Sequence, residues 1–464
     1  MRHALVQMLQ FVGASAVARE IGPFGFGTLG IALFACGVLG STAGAGLGAS
    51  LIRSSGEPEP REVCSLFTVQ LAFSAAIVAI LWPAIDALAA HGRWNGEQAM
   101  VARCVAAGLL FSAFQSLPTA LLERRLDFPA LARIEVVQAV VFQIVAVSLA
   151  RSRLGVRAIG LAVLARAGVG AVLAIRAAGW RPGLALDPSV ARRHLRFGIP
   201  FQGTRFVHLI RDAFAPVAIG SLLGVAAVGR VAWAQMIAVW PVWGILALDR
   251  LYLPALARAR AHESDFRDSA ARLLASSHVI VAPFAVLTLV WLEPATRIFY
   301  GETWLSALPL VYPLWLATLV APTSTVSLAV LEAAGDAYTP LRYAVLWAAA
   351  TWILGIPLVA WLGVMGFAVA NVAIQASIVW LVRDARRHVP LAPWQPMVFP
   401  WLVAIAAVGL VRFAASGRPP ASWIGLMVPV ASSLALYAAI QALLRPDDAR
   451  ALRAAIDLRR REPA

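Results

Sequence analysis

Residues 19–53 read REIGPFGFGTLGIALFACGVLGSTAGAGLGASLIR. A tight turn, IGPFGFG, leads into an apolar run of Gly, Ala, Ser and Leu long enough to cross a bilayer, which takes about 20 residues of helix. The turn returns once downstream. Ile21, Gly22, Gly27 and Ala32 match Leu223, Gly224, Gly229 and Ala234, with the same G-x4-G-x4-A spacing. A second echo sets Leu122, Glu123 and Asp127 against Leu331, Glu332 and Asp336 at nearly the same offset. Two matches at nearly one offset predict a duplicated half. Duplicated bundles of membrane helices are a mark of transporters.

Composition carries that reading along the whole chain. The 464 residues are 60% hydrophobic and 14% charged, with mean hydropathy +0.77. A soluble domain is about half apolar and about a quarter charged. The apolar residues fall in runs near the length of a membrane span, separated by short charged loops. The fold class is therefore all-α: a polytopic membrane protein of roughly fourteen transmembrane helices. The first half offers spans at 4–19, 28–52, 63–90, 99–122, 131–151 and 156–178. The second offers 198–221, 227–249, 271–292, 305–332, 341–361 and 363–382, and a final pair, 396–414 and 423–444, lies outside the duplication. The expected domains are a six-helix lobe over 1–180, a second over 181–390, and two extra helices with a basic tail over 391–464.

The net charge is +15, and every basic residue is Arg. Most arginines fall in alternate loops and in the tail, which by the positive-inside rule places both termini in the cytoplasm. No stretch mixes basic and aromatic residues as a nucleic-acid groove would. Cys36, Cys64 and Cys104 have no metal spacing and read as free packing thiols. The first residues have the outline of a signal peptide, but Gln7 and Gln10 interrupt the run and it leads straight into the turn. A short first membrane helix is the better reading. No HExxH, CxxC or G-x-S-x-G is present, and no loop is long enough for an inserted catalytic domain. The expectation is a transporter without cofactor or metal, and no enzyme.

Three features bear on mechanism. Gly40, Gly44 and Gly48 recur every four residues and predict a face for close helix packing. Prolines concentrate in the second half, where kinks suit a bundle that bends during alternating access. The third is the span beginning IPFQGTRFVHLIRDAFAP at 199–216. Arg205, His208 and Asp212 share one helical face there, with Arg211 beside them. A charge at the bilayer centre costs about 2.5–3.5 kcal/mol on insertion scales, so these groups need a partner or a wet cavity. One reading is an internal Arg–Asp pair that steadies the bundle. The other is a cationic cavity wall in which Arg205, Arg211 and His208, with Arg166 and Arg53, receive phosphate oxygens. Asp212 would then hold a coupling cation or proton.

AREIGPFGFGTLGIAL at 18–33, GLGASLIR at 46–53, ERRLDF at 123–128, LRFGIPFQ at 195–202 and IGSLLGVAAVGRVAWA at 219–234 resemble the polysaccharide flippases. These belong to the multidrug, oligosaccharidyl-lipid and polysaccharide exporter superfamily. The resemblance covers most of the first 260 residues and is loose beyond. It implies two six-helix lobes facing each other in a V, plus two further helices. It also implies transfer of a polyprenyl-diphosphate-linked oligosaccharide across the cytoplasmic (inner) membrane through a cationic central cavity, for O-antigen or exopolysaccharide synthesis. Membrane lipid and a polysaccharide polymerase or assembly protein are the implied partners. Asp212 falls where the family often has an Asp, whereas Arg205 and Arg211 match no fixed family position. A peptidoglycan-precursor flippase or a multidrug antiporter of the same superfamily stays open, as does a polytopic polymerase. Intramembrane charge that is mainly Arg favours an anionic cargo.

Overall fold

The computed structural model describes residues 2–44, 46–54, 57–91, 94–201, 203–260, 262–336, 338–389, 395–415, 420 and 422–445. Among the described residues the chain is helical, with no strand, and thirteen helices are long and apolar enough to cross a membrane. It is an all-α, multi-pass membrane protein. Such a chain must satisfy its backbone within each helix, because hydrocarbon supplies no water to do so.

The chain forms two compact units, Met1–Gly229 and Arg230–Ala464. The first holds α1 (Arg2–Gly44), α2 (Leu47–Arg53), α3 (Pro60–Ala90), α4 (Gly96–Arg124), α5 (Phe128–Leu149) and α6 (Arg157–Ala178). It continues through α7 (Pro188–Phe201), α8 (Gly203–Asp212) and α9 (Gly220–Leu223) into the start of α10 (Val225–Val239). Here α4 packs along α6 and α3, and α1 touches α3, α4 and α5. The second unit holds α11 (Trp243–Ala259), α12 (Glu263–Phe299), α13 (Leu308–Ala333), α14 (Tyr338–Leu362), α15 (Val364–Gln375) and α16 (Ile378–Ala385). Its last two helices, α17 (Gln395–Ala414) and α18 (Trp423–Leu444), pack on α12. Polar contacts reinforce that packing: Trp401 donates to His278 Nδ1 at 3.0 Å, and the Tyr437 hydroxyl donates to the carbonyl of Val279 at 2.8 Å.

The turns that the sequence repeats have repeated geometry. Gly22 (φ 62°, ψ −172°) breaks α1, and Gly224 (φ 85°, ψ 172°) separates α9 from α10. Such angles cost a residue with a Cβ dearly, and glycine little. After α4, the Asp127 N–H donates to the carbonyl of Leu122, and the Asp127 carboxylate caps α5 by accepting from Ala130 N. After α13, Asp336 does the same with Leu331 and Thr339. The residue before each aspartate is left-handed, Leu126 at φ 57° and Gly335 at φ 86°. A third echo escaped the reading of the sequence: Leu154-Gly155-Val156 and Leu362-Gly363-Val364, with Gly155 at φ 54°, ψ −130° and Gly363 at φ 60°, ψ −144°.

The spans expected at 4–19 and 28–52 correspond to the two helical segments on either side of the break at Gly22, with α2 following the second. Two details differ from expectation. The connection at 179–196, between the expected spans 156–178 and 198–221, contains α7, whose Ala191 and His194 are buried. Close packing also lies elsewhere than the Gly40–Gly44–Gly48 series. A Cβ on Gly40 would meet no described atom within 4 Å, one on Gly44 would stand 4.0 Å from Gln70 Nε2, and one on Gly48 3.5 Å from Ala120 Cβ. The tight approach is between Gly27 and Gly229: a Cβ on Gly27 would fall on the Val225 carbonyl, and one on Gly229 on the Pro23 carbonyl. The basic tail over 446–464 lies outside the described residues.

Two predictions follow from this packing. Gly229→Ala should destabilise the detergent-purified protein by about 1–3 kcal/mol, because backbone and not a movable side chain blocks the new methyl. Gly37→Ala, inside a helix with no described neighbour within 4 Å, should not lower the melting temperature. At the start of α7, the Ser189 hydroxyl and the backbone N–H groups of Ser189 and Val190 hold the Asp187 carboxyl below the usual range. A depressed carboxylate contributes stability above its unfolded value, about 3.9, and loses it as pH falls through its folded value. The protection factor for amide exchange at the start of α7 should therefore be flat from pH 7 to 5 and fall below about pH 4. In Asp187→Asn, protection there should not change with pH.

Candidate functional site

The charged span begins with α8 and continues as a π-helical turn, Phe214–Ile219. Pro216 sits inside that turn and brings no N–H to the carbonyl of Asp212, one turn earlier. Inserted π-turns of this kind recur at functional positions in helices. Immediately before it, Arg211 donates from Nε and an NH2 group to Asp212 Oδ1, both at 3.0 Å. Both side chains keep about half their surface exposed, 40% for Arg211 and 54% for Asp212. His208 is exposed one turn back on the Asp212 face. The pair joins neighbours on one helix and does not bridge two helices. The side chain of Arg205 lies outside the described residues.

The other sequence-derived candidates sit on different elements of the same unit. Arg166 is exposed midway along α6. Its carbonyl accepts from Gln138 Nε2 at 3.3 Å. Arg53 is exposed at the end of α2. Arg124 NH1 ties together the chain on either side of it, donating to the Leu51 carbonyl at 2.6 Å and to the Ser54 carbonyl and hydroxyl at 2.8 Å. What the structure brings together is thus Arg211 with Asp212, one turn from His208; Arg166 and Arg53 mark two further places.

Sequence reasoning passed over an amide network. Gln115 and Gln138 exchange reciprocal hydrogen bonds of 3.3 and 3.1 Å between α4 and α5. Gly170 on α6 leaves room for both, since a Cβ there would collide with the Gln138 amide. Gln70 and Ser74, one turn apart on α3, are buried, and Gln70 Oε1 and Ser74 Oγ have no partner among the described residues. The signal was available: four glutamines, at 70, 115, 138 and 143, lie inside apolar runs. Arg230 was missed for the same reason. It lies in the span Val225–Val242, with its Nε buried and unpartnered among the described residues. No group of three or more His, Cys, Asp or Glu side chains that could hold a metal occurs among the described residues. The three cysteines are free.

Residues 16–309, more than half of the chain, match the family described as polysaccharide biosynthesis protein. The chain belongs to that family. Its fold is that of the exporter superfamily recognised in the sequence. It is similar to the lipid II flippase MurJ in an inward closed conformation, with TM-score 0.71 and 13% identity, over 96% of this chain and 99% of that one. It is also similar to an inward-facing multidrug resistance MATE family transporter of the MOP superfamily, with TM-score 0.65 and 16% identity, over 82% and 95%. No curated protein matches by sequence.

The amide pair yields a test of its own. Gln138→Leu strands the Gln115 amide and should cost about 1–3 kcal/mol in thermal unfolding of the purified protein. Adding Gln115→Leu should recover much of that loss, since removing both partners of a buried hydrogen bond costs less than removing one.

Proposed function

We propose that this protein is a flippase that moves a polyprenyl-diphosphate-linked oligosaccharide from the cytoplasmic to the outer leaflet by alternating access. The observation that carries the reading is the family match joined to the kind of charge inside the spans. Arg166, Arg211 and Arg230 stand in apolar helices, and Asp212 is paired to one of them. A guanidinium stays charged throughout the physiological range and matches phosphate oxygens with its planar fork. An exporter of organic cations would need acidic groups in those places. Arg205, Arg211 and His208, with Arg166 and Arg53, are assigned to the diphosphate, and Asp212 to a coupling cation or proton.

The remaining assignments follow the same reading. Lobes over 1–180 and 181–390 move against each other, and the helices over 391–464 are accessory. The arginine-rich loops and both termini face the cytoplasm, in the inner membrane. The protein acts as a transporter and not as an enzyme, and hands its cargo to a polymerase or assembly protein. Lipid II is the second cargo to consider, because the likeness to its flippase spans nearly all of both chains.

Depletion of the protein should trap the lipid-linked oligosaccharide on the cytoplasmic leaflet, detected by leaflet-resolved labelling, with loss of the surface polymer. An unchanged distribution overturns the flippase reading. Arg211→Ala and Asp212→Ala should each abolish export at normal membrane levels of protein, and normal export in both removes these residues from the transport path.

A further inference from the structure

A second cationic place lies away from α8, where α3 begins and α4 and α6 end. A cavity of about 560 Å³ opens there, walled by Arg124, Arg125, Arg181, Glu57, Trp180 and Cys64, with apolar neighbours between them. Three arginines face one carboxylate. Two of them are held from behind by helix ends: Arg125 NH1 donates to the carbonyl of Ala178, the last residue of α6, at 2.9 Å, and Arg124 NH1 holds the carbonyls of Leu51 and Ser54. Their positions are set before any ligand arrives, which lowers the ordering cost of binding.

The third arginine is carried by a pinned strap. Beyond Arg181, the Ala185 N–H donates to Thr68 Oγ1 at 3.1 Å, and Asp187 exchanges bonds with Ser65 Oγ at 3.0 and 3.3 Å. Gly183 lies so close to α3 that a Cβ would stand 3.0 Å from Cys64 Sγ. Trp180 packs edge-on against Phe67, ring centroids 5.2 Å apart, and forms part of the cavity wall. The apolar part of the wall, at the ends of three membrane helices, suits the glycerol or isoprenoid stem next to a headgroup. Tryptophan and arginine at that level are the usual means of holding an interfacial lipid.

We propose that this cavity binds the phosphate headgroup of an anionic lipid, with Arg125 and Arg181 pairing the phosphate oxygens. The assignment stands apart from the α8 charges and from the identity of the transported cargo.

The test is native mass spectrometry of the full chain in detergent, titrated with phosphatidylglycerol and with phosphatidylcholine. The expected result is one tightly retained phosphatidylglycerol, held at least about tenfold more strongly than phosphatidylcholine, as one charge-assisted pair implies. Arg181→Gln and Arg125→Gln should each weaken retention about tenfold. Arg133→Gln, an exposed arginine outside the cavity wall, should match the parent. Arg181 is exposed, so its replacement leaves the fold intact and isolates the charge. Polyprenyl diphosphate as competitor separates the sources: displacement at equal concentration assigns the site to the carrier lipid, and resistance assigns it to the bilayer phospholipid. Equal retention of the two phospholipids by the parent, or unchanged retention in both arginine variants, overturns the proposal.

Discussion

A helix that ends inside or beside hydrocarbon leaves carbonyls that no water can reach, and each must be satisfied by the chain itself. The left-handed residues of this protein meet that constraint. At Asp127 and Asp336 one turn closes the preceding helix by donating backward to Leu122 and Leu331, and opens the next with its carboxylate. Gly179 ends α6 in the same sense, at φ 64°. Where a residue with a Cβ occupies such a position, as Leu126 does, a side chain 68% exposed is held in a conformation that glycine adopts more cheaply. Arg124 and Arg125 take up carbonyls at the ends of α2 and α6 that the turns leave over.

Helix packing then depends on contacts other than the hydrophobic effect, since lipid tails are as apolar as leucine. Two means are visible within the first unit. Backbone meets backbone where Gly27 and Gly229 carry no side chain, and amide meets amide where Gln115 and Gln138 bond reciprocally over Gly170. In the second unit, indole and hydroxyl donors serve the same purpose: Trp315 to the Ala285 carbonyl, Trp347 to Ser377, and Trp401 to His278. These contacts are directional, so they set which faces meet.

Hydropathy made the architecture legible, because a span needs only length and apolar content. The repeated G-x4-G spacing found the turns at Gly22 and Gly224 because left-handed geometry restricts residue choice. The turn at Gly155 and Gly363 escaped notice because two residues beside a glycine make a weak pattern, although the angles agree closely. Glycine spacing alone did not reveal packing: the regular series at 40, 44 and 48 has little close contact, while the pair at 27 and 229 has backbone contact. Helix α7 was hidden by its charge, since Arg192, Arg193 and Arg196 suggest a loop until the buried His194 shows an amphipathic helix. The amides and Arg230 were visible as letters and were passed over in favour of the denser charges of α8.

Those charges show how far residue type alone can take a functional reading. Spacing put Arg205, His208 and Asp212 on one face and left Arg211 beside it, which suggested a row of cations with one acid. The structure instead couples Arg211 to its neighbour Asp212, so the two charges largely cancel at a distance while each keeps about half its surface exposed. On the proposed flippase reading, a phosphate approaching Arg211 would compete with Asp212 for the same N–H groups, and a proton or cation on Asp212 would release the guanidinium to the phosphate. Binding of anion and of cation would then favour one another through a single shared bond, the reciprocity that coupling between two sites requires.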